Sequence, residues 1–151
     1  MNKNSVSKEL TETKLEQLKF WEDLKEYTEN NPSSLRITRK ARPQHWYSIG
    51  VGISQVGINF IHNTRTSSIA VDIYIKEQEI FEKLYLHKDY FESLCEGKDI
   101  DWKALPGKKA SRILTYLDCD LTDESLWENH YKWLIETGEI MLNALQKTYK
   151  K

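Results

Sequence analysis

Glycine and proline are scarce, six and three in 151 residues, which excludes collagen-like and low-complexity architectures. Cysteine is rarer still: Cys95 and Cys119 are the two, they form no CxxC and no ligand cluster, and they suit a reducing compartment better than a disulfide framework. No apolar run approaches the ~18 residues of a membrane span, and the N-terminal MNKNSVSKEL has no apolar signal-peptide core. Neither charge sign dominates, with a net charge of −1, so there is no global pull toward nucleic acid or acidic lipid. Zinc spacings of the His-x-Glu, HExxH or CxxC type are missing, as are Walker A, GxGxxG and GxSxG. Gly107-Lys108-Lys109-Ala110-Ser111 lacks the upstream glycine a phosphate loop requires, although its amides and lysines suit a single anion. What is present, 39% apolar and 30% charged residues, is the composition of one globular domain across residues 1–151, expected to be soluble and cytoplasmic and to need no resident cofactor.

Hydrophobic period divides the chain. From about Ser7 to Tyr27, Leu15, Leu18, Trp21 and Leu24 recur at helical spacing with Phe20 and Tyr27 at the stripe's edges, and Asn30-Asn31-Pro32 ends the run. Tyr47, Ile49, Val51 and Ile53 then alternate with small or polar residues. After turns at Ser54–Gly57 and Asn63–Ser67 come strands through Ile58–His62 and Ile69–Ile75, so a meander is expected. Helical period returns from about Glu77 to Gly97 through Ile80, Leu84, His87, Phe91 and Leu94. Short strands are expected over Ile100–Leu105 and Ser111–Leu117, and a final helix near Thr122, capped by its hydroxyl, carries Trp127, Tyr131, Leu134, Met141 and Leu145. The expected fold is α+β in the order α-β-β-β-α-β-β-α, a mainly antiparallel sheet packed by three helices.

The charge is unevenly placed. Asn31 to Val71 contains no acid, yet holds Arg36, Arg39, Lys40, Arg42 and Arg65; Lys103 to Leu117 repeats the feature with Lys103, Lys108, Lys109 and Arg112. If the two segments meet, the domain has one positive face and an acidic back. Aromatics are interleaved with these cations at His45, Trp46, Tyr47 and Trp102, and hydroxyls accompany the arginines at Thr38 and Ser111, a mixture suited to stacking and to phosphate oxygens. Solvated loops balancing the acidic helices are the plainer explanation.

Among the histidines, His62, His87 and His130 fall in apolar patterns and are expected to be packed, whereas His45 stands in a loop suited to recognition or chemistry. The element order also resembles the PD-(D/E)xK nuclease core, which carries carboxylates on its second and third strands and a lysine two residues on. Here the third strand offers Asp72, Tyr74 and Lys76 on one face, while the second offers Asn59 and Asn63. Asp72, Lys76 and His45 are therefore the catalytic candidates, with Glu16 or Glu22 as a further carboxylate and Mg²⁺ required only if this alternative holds. Against it stands a structural ion pair of Asp72 with Arg65 or Arg112.

Gln17-Leu18-Lys19-Phe20-Trp21, Ser34-Leu35-Arg36, Arg42-Pro43-Gln44-His45-Trp46-Tyr47-Ser48-Ile49-Gly50, Asn63-Thr64-Arg65, Val71-Asp72-Ile73-Tyr74-Ile75 and Leu105-Pro106-Gly107-Lys108-Lys109-Ala110-Ser111-Arg112-Ile113 together resemble the DUF4268 family over roughly Leu15 to Leu145. Its members are domains of unknown function, often C-terminal to parts that resemble restriction-type nucleases. The resemblance implies a nucleic-acid context, a restriction or phage-defence system, and binding more than cleavage. Its blocks also place Trp46 as a core anchor.

The leading expectation is a nucleic-acid-binding accessory domain. Arg36, Arg42, Arg65, Lys108, Lys109, Ser111 and Arg112 would contact phosphates, and His45 and Tyr74 would stack or touch base edges. Partners are DNA or RNA, with no membrane. The alternatives are the diverged nuclease and a module whose tryptophans serve a protein partner or a homodimer.

Overall fold

A computed structural model describes residues 10–104, 107 and 110–151. Helix α1 (Glu12–Asn30) opens with Thr11, whose side chain accepts from the Lys14 amide and satisfies one of the unpaired first-turn donors. Strands β1 (Trp46–Gly50), β2 (Val56–Asn63) and β3 (Ser68–Ile75) form the expected meander. Helices α2 (Gln78–Leu86) and α3 (Lys88–Ser93), strands β4 (Asp101–Lys103) and β5 (Ser111–Asp118), a 3₁₀ turn (Glu124–Leu126) and helix α4 (Trp127–Tyr149) follow. The sheet has five strands in the order β1-β2-β3-β5-β4, all neighbours antiparallel. The fold is α+β, with the helices gathered on one sheet face.

That face is selected by alternation. Ile58, Phe60 and His62 on β2 and Ile69, Val71, Ile73 and Ile75 on β3 are buried against α1 and α4. An aromatic cluster locks α1 in place: Phe20 meets Trp21, His62, Trp127 and Tyr131 with ring centroids 4.6–5.1 Å apart. The Tyr131 hydroxyl donates to the Phe20 carbonyl at 3.0 Å. On α4, Gly138 lies tight against the loop before β1 and against β2: a Cβ there would stand 2.8 Å from Leu35 Cδ1 and 3.0 Å from Phe60 Cε1.

Several sequence expectations are corrected. The buried face of α1 is Gln17, Phe20, Trp21 and Leu24, with Leu15 half exposed, so Phe20 stands at the centre of the stripe and not at its edge. The aromatic cluster turns the helix. Strand β1 ends at Gly50, short of Ile53, because Gly52 (φ +76°) and Gln55 (φ +68°) enter the left-handed region and turn the chain. The single helix expected between Glu77 and Gly97 is two, broken at His87, and the bend lets Phe81 and Leu84 on one piece and Phe91 on the other reach the same core. Thr122 does not cap α4: its hydroxyl donates to Asp120, and Asp123 accepts from the Ser125 amide to open the 3₁₀ turn before Trp127. His62 and His130 are buried and His87 is half-buried, as their patterns imply.

Candidate functional site

With the helices on one face, the other face of the sheet is left open, and register determines what it carries. Two cross-strand rows matter. One runs Ser48–Asn59–Asp72–Leu114–Asp101, and the next runs Gly50–Gly57–Tyr74–Arg112–Lys103. In the second row, two glycines stand where side chains would cover the floor. A Cβ at Gly50 would meet nothing within 4 Å, and one at Gly57 only the Ile49 carbonyl at 3.9 Å. Packing does not demand glycine there. The missing side chains leave a hollow of about 660 Å³.

The loop before β1 forms one wall. The Trp21 indole donates to the Gln44 carbonyl at 2.8 Å, the Tyr47 hydroxyl and the Lys25 ammonium both donate to the Arg39 carbonyl at 2.7 Å, and the Gln44 side chain donates to the Trp46 carbonyl at 3.1 Å. These bonds tie the loop to α1 and β1 and hold Arg39 and His45 at the edge of the hollow. Burial, with the charges of Arg112 and Arg65 added, holds the His45 imidazole below its ordinary value.

The floor is polar. Arg112 donates from Nε at 3.0 Å and stands with Nη2 at 2.9 Å from the same oxygen of Asp72, Oδ2. Asp72 Oδ1 is buried with no hydrogen-bond partner among the described residues. Burial pushes the Asp72 carboxyl up, against the pull of Arg112, Lys103 and Asn59. Ser48 Oγ donates to Asn59 Oδ1 at 2.8 Å and sets the orientation of that amide. Half-buried Tyr74, together with Trp46 and Lys76, completes the lining.

The structure thus brings together His45, Tyr74, Asp72, Lys76 and Arg112 from the candidate set, and joins the two acid-free segments where β3 pairs with β5. Arg65 lies in the exposed β2–β3 turn, close enough for its charge to act on His45, while Arg36 and Arg42 are exposed on the preceding loop outside the hollow. Ser111 is on the helical face, where its hydroxyl donates to Gln78, so it does not share the face of Arg112. Lys108 and Lys109 lie outside the described residues. Trp46, expected in the core, is 38% exposed at the rim. Trp102, read with the cations, packs on Phe81, Tyr85 and Phe91 instead and donates to Glu92. The ion pair of Asp72 is with Arg112. Glu16 stands beside Glu124 on the helical side of the sheet, away from Asp72, and among the described residues no three His, Cys, Asp or Glu side chains converge as a metal site. Residues that sequence reasoning left out of the site are Arg39, Ser48, Gly50, Asn59 and Gly57; the parity of β1 and β2 carried the signal for the last four, once the open face was known, while Arg39 is placed by the loop bonds.

The chain matches the family described as a domain of unknown function, DUF4268, over residues 16–150, nearly its whole length, and it belongs to that family. No curated protein and no solved structure matches it.

Proposed function

We propose that this DUF4268 member is a nucleic-acid-binding accessory domain that holds phosphates along the rim of its open sheet face. One observation carries the reading: a concave, uncovered sheet face gathers Arg39, His45, Lys76 and Arg112 together with Tyr74 and Trp46, and the only acid lining it among the described residues, Asp72, is already paired. Cations and aromatics on one concave surface suit a polymer of phosphates and bases better than a lone anion. Arg65, Arg36 and Arg42 extend the positive path, and Lys108 and Lys109 would add to it. A cytoplasmic restriction or phage-defence setting rests on the company the family keeps. The nuclease alternative gains no support from this geometry, since Arg112 occupies Asp72 and the helical carboxylate Glu16 lies across the sheet.

Fluorescence anisotropy with labelled single-stranded DNA, RNA and duplex DNA, over a salt series with and without Mg²⁺, tests the reading. Binding that weakens steeply with salt, with intact product on a gel, is expected. Absence of salt-dependent binding to all three polymers would overturn it. Mg²⁺-dependent cleavage lost in Asp72→Asn would replace it with the nuclease.

A further inference from the structure

We propose that the hollow is a seat for one unpaired nucleobase, read at its edge by Asp72 and Arg112, so that the domain selects single-stranded nucleic acid over duplex. Such a seat presupposes the nucleic-acid reading and adds what fills the floor. Phosphate does not belong there: the Asp72 carboxylate is an acceptor without a proton to give, and it would repel an anion. The rim and the floor therefore have different chemistry, cations unpaired among the described residues outside and a carboxylate already paired with Arg112 within.

The floor has two unused functions side by side. Arg112 spends Nε and Nη2 on a single oxygen of Asp72, leaving Oδ1 without a donor and the far side of the guanidinium uncommitted among the described residues. A buried acceptor without a partner is costly, and the Asp72 side chain is only 2% exposed while it lines the hollow. A ligand that donates one hydrogen bond next to one it accepts would satisfy both groups once the carboxylate turns its closed-off Oδ1 toward the hollow. Every nucleobase presents such a donor beside an acceptor on its pairing edge, and that edge is free only when the base is unpaired. Tyr74 and Trp46 offer rings on which it can stack. The hollow, about 660 Å³, lies within the ~300–1,000 Å³ that small-ligand sites occupy. Gly50 and Gly57 hold that space open, since no neighbour among the described residues requires them to lack a side chain.

The test compares anisotropy titrations of single strands of one length in each of the four bases, a mixed-sequence duplex, and an abasic strand of the same length and charge. Single strands are expected to bind about tenfold or more tightly than the abasic strand, the effect of one stacked and read base. Gly57→Val is expected to abolish that preference with an unchanged melting temperature, because the valine fills the hollow on a strand that favours it. Asp72→Asn, which turns one acceptor into a donor, is expected to reorder the four bases. If abasic strand, single strands and duplex bind alike and Gly57→Val changes nothing, the base seat is overturned while phosphate binding stands. If no polymer binds, both readings fall.

Discussion

At Asp72 and Arg112 the cost of breaking the pair depends on which partner remains. Arg112 is 32% exposed and can be rehydrated, whereas Asp72 at 2% cannot. Arg112→Met is therefore expected to cost about 3 kcal/mol at neutral pH, and Asp72→Asn clearly less. The carboxyl is already raised by burial, and losing Arg112 raises it further. A raised folded pKa means stability is present at low pH and lost as pH rises through it, so the Arg112→Met deficit should shrink on acidification. Urea unfolding of both variants at neutral and mildly acidic pH checks the asymmetry; equal costs at all pH would refute it. His62 has the opposite sign. It is fully buried, neither ring nitrogen has a partner among the described residues, and burial, with His130 nearby, lowers it to about 4. The unfolded histidine titrates near 6.5, so this contribution is whole above that value and lost as pH falls toward 4, about 3 kcal/mol in total. His62→Phe should flatten the acid limb of stability against pH, and an unchanged limb would show that His62 is not the cause.

Elements here are positioned by a few close contacts. Glycine inside a helix ordinarily costs about 1 kcal/mol against alanine, yet Gly138 sits in the middle of α4. The 2.8 Å and 3.0 Å approaches of Leu35 and Phe60 to its vacant Cβ position explain it: alanine would gain helix propensity but push α4 from the sheet. Gly138→Ala is expected to lose about 1 kcal/mol net in urea unfolding, while Glu136→Ala, exposed on the same helix, stays near neutral. A stabilised Gly138→Ala would mean that Leu35 yields freely. At the start of α1, Thr11 carries the cap through its bond to the Lys14 amide. The loop before β1 depends on that helix in turn, because the Trp21 indole holds Gln44 next to His45.

Over the whole molecule, the net charge of −1 conceals opposed faces. The open sheet face has Arg39, Lys76 and Arg112, while the groove between α1 and α4 is lined by Asp23, Glu26, Glu124 and Glu128. An anionic polymer would approach oriented, and its affinity would follow the local charge rather than the total. Alanine at Lys76 or Arg39 is expected to weaken binding to single strands and reduce the salt slope by about 0.7 for each phosphate no longer neutralised. Glu26→Gln and Glu128→Gln, on the far side, should leave that slope unchanged. An identical response from both faces would place the polymer elsewhere.

Element order and the burial of Trp21, Trp127 and Tyr131 were readable from the chain, because periods of two and of 3.6 are local properties. The meander, the strand through Ile113 and the stripe of Trp127, Tyr131, Leu134, Met141 and Leu145 all follow from them. The acid-free segments were equally plain. Alternation separates two faces of a strand but does not say which one the helices will cover, so Trp102, read with the cations, packs on the helical face, while Trp46, which the family blocks place in the core, stands at the rim. Nor does it give strand order: Arg112 meets Asp72 across 40 residues only because β5 slots in between β3 and β4. The hollow has the same origin. Gly50 and Gly57 are ordinary small residues in the sequence, and become a cavity only when β1, β2 and β3 align them with Tyr74 on the face opposite the helices. Local pattern determined what the elements are; pairing between distant strands, which depends on the packing of the whole core, decided where the chemistry stands.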